Sequence, residues 1–156
     1  MEPTINLSLH AWNAQNTNFN KLLTDLTDDQ LNKEIAAGKN TGTYLLGHLV
    51  AVSDALLPLL GFGERLFPAL ENIFIKNPDK SGLEKPSIAE LKQHLAEVNT
   101  KLNAHIEATA PADWLQKHTA VTTEAFEKEP HRNKLNVLIS RTTHMAYHLG
   151  QMVLLK

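Results

Sequence analysis

The chain has no cysteine among its 156 residues. Disulfides, thiolate metal ligands and a thiol nucleophile of the protein's own are therefore excluded, and any thiol chemistry must take its thiol from outside. The same lack fits a reducing cytoplasm, the compartment expected here. An excess of one charge is also missing. Fifteen Lys and Arg stand against 17 Asp and Glu, for a formal charge of -2. No basic stripe is available to neutralise phosphates, so no nucleic-acid partner is expected. No apolar run reaches the roughly 18 residues needed to cross a bilayer, and the first twenty residues lack a basic region followed by an apolar core. No membrane partner is expected either. Strand alternation, internal repeats and low-complexity tracts are absent as well. At this length, one domain over residues 1–156 with a sizeable core is the expectation.

What the chain does have is helical periodicity. From about Pro3 to Leu23, the residues Ile5, Leu9, Trp12, Asn16, Phe19 and Leu23 step by four and three, the seam of a bundle helix with one polar member, Asn16. Thr27 to Gln30 reads as a capping box that starts a short second piece. A second long helix is expected from near Thr43 to Leu60, with Leu45, His48, Val52, Ala55 and Leu59 as its stripe and Gly61 at its C-terminus. Residues 62–86 read as an irregular crossover with a turn or two of helix at Leu70 to Ile75. Ser87 to Glu90 is another capping box, opening a third helix with Ile88, Leu91, Leu95, Val98, Leu102 and Ile106 facing inward. Pro111 ends it, and a loop with a turn at Asp113 to Leu115 leads to a fourth helix over about Asn133 to Leu155. Its seam is Leu135, Leu138, Thr142, Met145, Leu149 and Met152.

Four such helices must bury their apolar faces on one another, so the expected fold class is all-α, a four-helix bundle. The crossover before Ser87 is long enough to return along a bundle about 25–30 Å tall, at about 3.3 Å per extended residue. It therefore permits the second and third helices to run parallel.

His144 and His148 stand four apart in the fourth helix, about 40° apart on one face, so both rings can reach one point. One helix can offer two nitrogen ligands to a metal in this way, although solvated pairs of this spacing are common. His48 lies near the centre of the apolar stripe of the second helix. A buried imidazole must be satisfied, by a carbonyl or a side chain in the ordinary case or by a metal if the three histidines converge. A zincin requires glutamate directly after the first histidine of the pair. Met145 occupies that place, and a protease is excluded.

The residues around the histidines carry a resemblance. The segment from Thr43 to Leu49 is similar to the start of the second helix in the DinB-like superfamily. The segment from Asn136 to Gln151 resembles that family's fourth helix, with its His-x-x-x-His-x-Gly-Gln pattern at His144, His148, Gly150 and Gln151. The resemblance implies an up-down-down-up bundle with a long crossover between helices two and three. It implies that His48, His144 and His148 bind a divalent metal, nickel or zinc by preference. Characterised members include thiol-dependent S-transferases and a mycothiol-dependent maleylpyruvate isomerase, and homodimers are frequent.

The expected function is thus that of a metal-dependent enzyme acting on a small molecule, with S-transfer from an exogenous low-molecular-weight thiol as the leading reaction and hydrolase-like chemistry beside it. The alternative is a non-catalytic metal-binding or dimerising bundle. No catalytic residue beyond the ligands is identified. Asn16, Arg141 and Gln151 are candidates for the surroundings of the metal or for substrate contact. Arg141, about 60° from His144 on the helical wheel, either attracts an anionic substrate or pairs with a neighbouring acid. Tyr147 points away from the pair. His10, His94, His105, His118 and His131 default to surface or loop positions.

Overall fold

The computed structural model describes residues 2–156, and every regular element among them is helical. Four long helices dominate: α1 (Glu2–Asp25), α3 (Gly42–Asp54), α6 (Ile88–Ala108) and α8 (Lys134–Met152). Four short ones join them: α2 (Asp28–Leu31), α4 (Leu56–Leu60), α5 (Leu70–Phe74) and α7 (Thr123–Lys128). Two 3-10 turns cover Pro111–Leu115 and Val153–Leu155. The only extended pairings among the described residues are two isolated bridges, Glu34 with Thr41 and Lys117 with Asn133.

Local chemistry sets where these helices begin. Thr27 and Ser87 form the two capping boxes, each side chain accepting from a backbone N–H three residues on while Gln30 or Glu90 reaches back. Asn133 caps α8 by accepting from the Asn136 N–H at 2.9 Å. Gly61 ends α4 in the left-handed region, φ 76°, where a side chain would be strained.

Burial follows the seams. Ile5, Trp12, Asn16, Phe19 and Leu23 are buried in α1, and all six apolar seam residues are buried in α6. α1 packs on α8, while α3 packs on α5, α6 and α8. That central place explains the composition of α3, in which every residue from Gly42 to Asp54 except His48 is buried. A helix apolar on all sides belongs inside the core. Together with α4 it makes a stretch, Gly42–Leu60, whose length and mean hydropathy of 1.5 would suffice to cross a membrane. Run length alone passed over it because His48 and Asp54 interrupt it; 67% of the window is buried within the protein.

The second long helix does not run unbroken to Leu60. Its regular hydrogen bonding lapses at Ala55, because Pro58 has no N–H to offer the Asp54 carbonyl and its ring crowds that oxygen. The buried Asp54 carboxylate accepts from the Leu66 N–H at 2.7 Å and the Phe67 N–H at 3.0 Å. Asp79, also buried, accepts from the Thr41 N–H at 2.7 Å and pairs with Lys85. The Tyr44 hydroxyl donates to the Asn77 carbonyl at 2.7 Å. The irregular crossover is thereby pinned along α3, and α5 with it. The loop before α8 holds α7, an element the periodicity did not reveal: none of its residues is fully buried.

Candidate metal centre

His48 projects from α3, and His144 and His148 from α8, where the two helices pack together. One ligand nitrogen from each lies within 4.8 Å of the others. The Nε2 of His144 is 3.3 Å from that of His48 and 3.0 Å from that of His148. Two nitrogens bound tetrahedrally at the usual zinc–nitrogen length stand about 3.3 Å apart, so the donor set fits a divalent ion in spacing and chemistry. All three side chains are half-buried.

Two of the rings are held from behind. His48 donates its Nδ1–H to the Phe74 carbonyl at 2.8 Å, and His148 donates its Nδ1–H to the Gln151 Oε1 at 2.7 Å. Each acceptor fixes the tautomer that leaves the Nε2 lone pair facing the centre, the usual role of a partner behind a ligating histidine. The Tyr44 hydroxyl, which donates to Asn77, also lies 3.3 Å from the Phe74 carbonyl, and the Tyr44 ring stacks with His48. Gly47 makes this possible: a Cβ there would overlap the Phe74 ring. Removing one side chain lets α5 approach α3 closely enough to bring its last carbonyl to His48.

The surroundings of His144 and His148 disfavour their charged forms. Burial, then the nearby His148, His48 and Arg141 charges, push the His144 imidazole down to about 4. Burial also lowers His148, against a smaller upward pull from Gln151. Neutral imidazoles are the form that binds a metal.

The other expected site residues fall into place unevenly. Gln151 stands directly behind His148. Arg141 is half-buried, its Nε is enclosed without an acceptor, and burial pulls its guanidinium below the usual range. Asn16 is not at the cluster. It lines a groove of about 270 Å³ between α1 and α6 with Asn13, Asn20, Asn99 and Asn103, and donates to the Trp12 carbonyl at 3.0 Å.

Tyr147 is exposed yet lays its ring edge-on against His148, 5.1 Å between centroids. His94 and His105 are half-buried rather than surface residues, stacked on Phe67 and Phe62 at 3.8 and 5.0 Å. Phe74, Tyr44 and Gly47 were not anticipated as parts of the site. The one sequence signal was a glycine beside His48 in an otherwise bulky apolar run.

A conserved protein of Enterococcus faecalis, known from a crystal structure, superposes with a TM-score of 0.65 over 95% of this chain and 92% of its own, at 16% identity. That likeness is one of fold. No curated protein matches the chain. The sequence profile of the DinB superfamily matches residues 11–152, most of the chain and all three histidines. The chain belongs to the DinB superfamily.

Proposed function

We propose that the protein is a metal-dependent enzyme in which His48, His144 and His148 hold a divalent ion, zinc or nickel, and that it transfers an exogenous small thiol to an electrophilic small molecule. The observation that carries this reading is the convergence of three Nε2 atoms, two of them aimed by a hydrogen bond that the Nδ1–H of the same ring donates. A divalent ion so held would supply Lewis acidity and lower the pKa of a thiol or water bound to it. The protein's own residues do the rest. The Phe74 carbonyl and Gln151 fix ring orientation, and burial keeps His144 uncharged at neutral pH.

Because the chain has no cysteine, the thiol sulfur comes from solution. Its proton leaves to solvent, a carbon–sulfur bond forms, and the leaving group departs with the bonding pair. Small thiols are kept reduced in the cytoplasm, where we place the activity. An up-down-down-up bundle is part of the same reading, and the crossover between α4 and α6 is long enough for it.

A non-catalytic metal module is the less supported alternative. Structural zinc sites close their coordination with four protein ligands. Here, among the described residues, three histidines form the cluster and no carboxylate joins them. We also propose a homodimer. Leu7, 70% exposed, and Ile139, 44% exposed, flank one apolar groove on the outer α1–α8 face, an arrangement suited to a second copy.

The test is metal analysis of the purified protein, followed by conjugation assays with several thiols and a bimane or chloroarene electrophile, with mass read by light scattering. We expect about one divalent ion per chain, lost in His144→Ala, and saturable turnover abolished by a chelator. Wild-type protein without metal, or a variant that keeps it, would sink the ligand set. A metal-loaded protein inert towards every thiol would remove the transferase reading.

A further inference from the structure

We propose that Arg141 is the anion-binding residue of this site, and that the substrate carries a carboxylate or phosphate group which the guanidinium holds while its other end lies at the three histidines. This rests on the metal reading above and adds the class of substrate.

Three observations carry it. The first is that Arg141 alone among the arginines lacks an acid. The chain has three arginines; Arg65 pairs with Glu71 at 2.9 Å and Arg132 with Glu129 at 3.1 Å. Among the described residues no carboxylate lies within salt-bridge distance of Arg141, although it is the one whose Nε is enclosed without an acceptor. A guanidinium has five donors in a planar fork and cannot shed its charge, so partial burial without an acceptor is costly. An arriving oxyanion repays that cost.

The second is position. Arg141 precedes His144 by three residues on α8, and residues so spaced are neighbours on one helix surface. An anion gripped there lies beside the histidine cluster.

The third is the charge of the surroundings. α8 contains no Asp or Glu at all. α1 has acids only near its two ends, Glu2 and Asp25, and Asp25 pairs with Lys156 at 2.9 Å. The one acid of α3, Asp54, accepts the Leu66 and Phe67 N–H groups. Glu71 of α5 is shared by Arg65 and Lys76. Asp113, in the 3-10 turn that packs on α8, is exposed and makes no ion pair with Arg141. Three neutral imidazoles also bring no negative charge to a divalent cation. With a divalent cation bound, the site would carry a positive field that no ion pair to Arg141 offsets. The planar fork matches a carboxylate or phosphate by two parallel hydrogen bonds.

The test is calorimetric titration of zinc-loaded protein with sodium succinate and, separately, with inorganic phosphate, in wild type, Arg141→Gln and Arg141→Lys at fixed salt. We expect wild type to bind at least one anion, and the Gln variant to bind it about 10- to 100-fold more weakly. The Lys variant, which keeps the charge and loses the fork, should fall between. Zinc affinity should be the same in all three. A preference for phosphate assigns a phosphoryl group, and a preference for succinate a carboxylate. Equal anion affinity in the Gln variant, or no binding of either anion by wild type, overturns the proposal. If the Gln variant does not fold, the Lys variant decides on the same criterion. Failure to take up zinc would overturn the metal reading instead. The same titration on metal-free protein then decides the Arg141 subsite, which falls if no Arg141-dependent binding is seen.

Discussion

His48 and His148 commit their Nδ1 atoms to neutral oxygens, and His144 is held uncharged by its surroundings. A consequence follows for the metal-free protein. His144 binds a proton near pH 6.5 when unfolded but only near about 4 when folded. Above pH 6.5 neither state is protonated and stability is unaffected. As pH falls from 6.5 towards 4, the unfolded state takes up a proton that the folded state refuses, so stability declines. His148 is shifted in the same direction and adds to the decline. Urea unfolding in the presence of a chelator, run at intervals from pH 8 to 5, should show a flat region that bends downward below 6.5. His144→Ala should flatten that bend, since it removes the group refusing the proton. An unchanged bend in the variant would show that His144 is not its source.

Element by element, sequence and structure agree where a helix has one wet face. α1, α6 and α8 show their seams because the polar residues between the buried positions make the period visible, and the capping boxes mark where α2 and α6 begin. The period fails in α3, which is buried on every side, and there the stripe containing His48 gives no clue to what lies behind it. Nothing in the sequence singles out Asp54 and Asp79. Only the folded chain shows that both are buried and tie the crossover to the start and end of α3.

Two glycines make this distinction measurable. Gly47→Ala should push the Phe74 ring away, shift α5 and weaken the carbonyl contact to His48. Overpacking of this kind costs about 1–3 kcal/mol of stability, and loosening a partner behind a ligand costs about 10-fold or more in metal affinity. Gly150, by contrast, has nothing within 4 Å of its would-be Cβ and sits inside α8. Gly150→Ala should stabilise by up to about 1 kcal/mol, from helix propensity alone. Denaturant midpoints together with metal titrations would separate the two. Similar behaviour of both variants would mean that the Gly47–Phe74 contact does not position His48.

At the scale of the molecule, the candidate site lies where separate parts of the chain meet. His48 comes from the central helix, its orienting carbonyl from the crossover, and the other two histidines from α8, the nearer of them 96 residues further on. The residue types were legible in the sequence because spacing four on a helix and the Gly-Gln that follows His148 are local signals. The carbonyl was not, because every residue has one and only the tertiary path decides which one is used. A ligand that binds the assembled site and not the unfolded chain stabilises the whole fold by mass action. At a free metal concentration 100 times the dissociation constant, that stabilisation is about 2.7 kcal/mol. For a protein of this size each kcal/mol raises the melting temperature by about 2–4 °C, so saturating zinc or nickel should raise it by roughly 5–10 °C. Scanning calorimetry with and without chelator reads this directly. His48→Ala removes the only ligand outside α8, leaving an i,i+4 pair that one helix can form without the rest of the fold. In that variant the rise should collapse to a small fraction of the wild-type value. A full rise in His48→Ala would mean that the metal binds α8 alone, and that the packing of α3 against α8 plays no part in holding it.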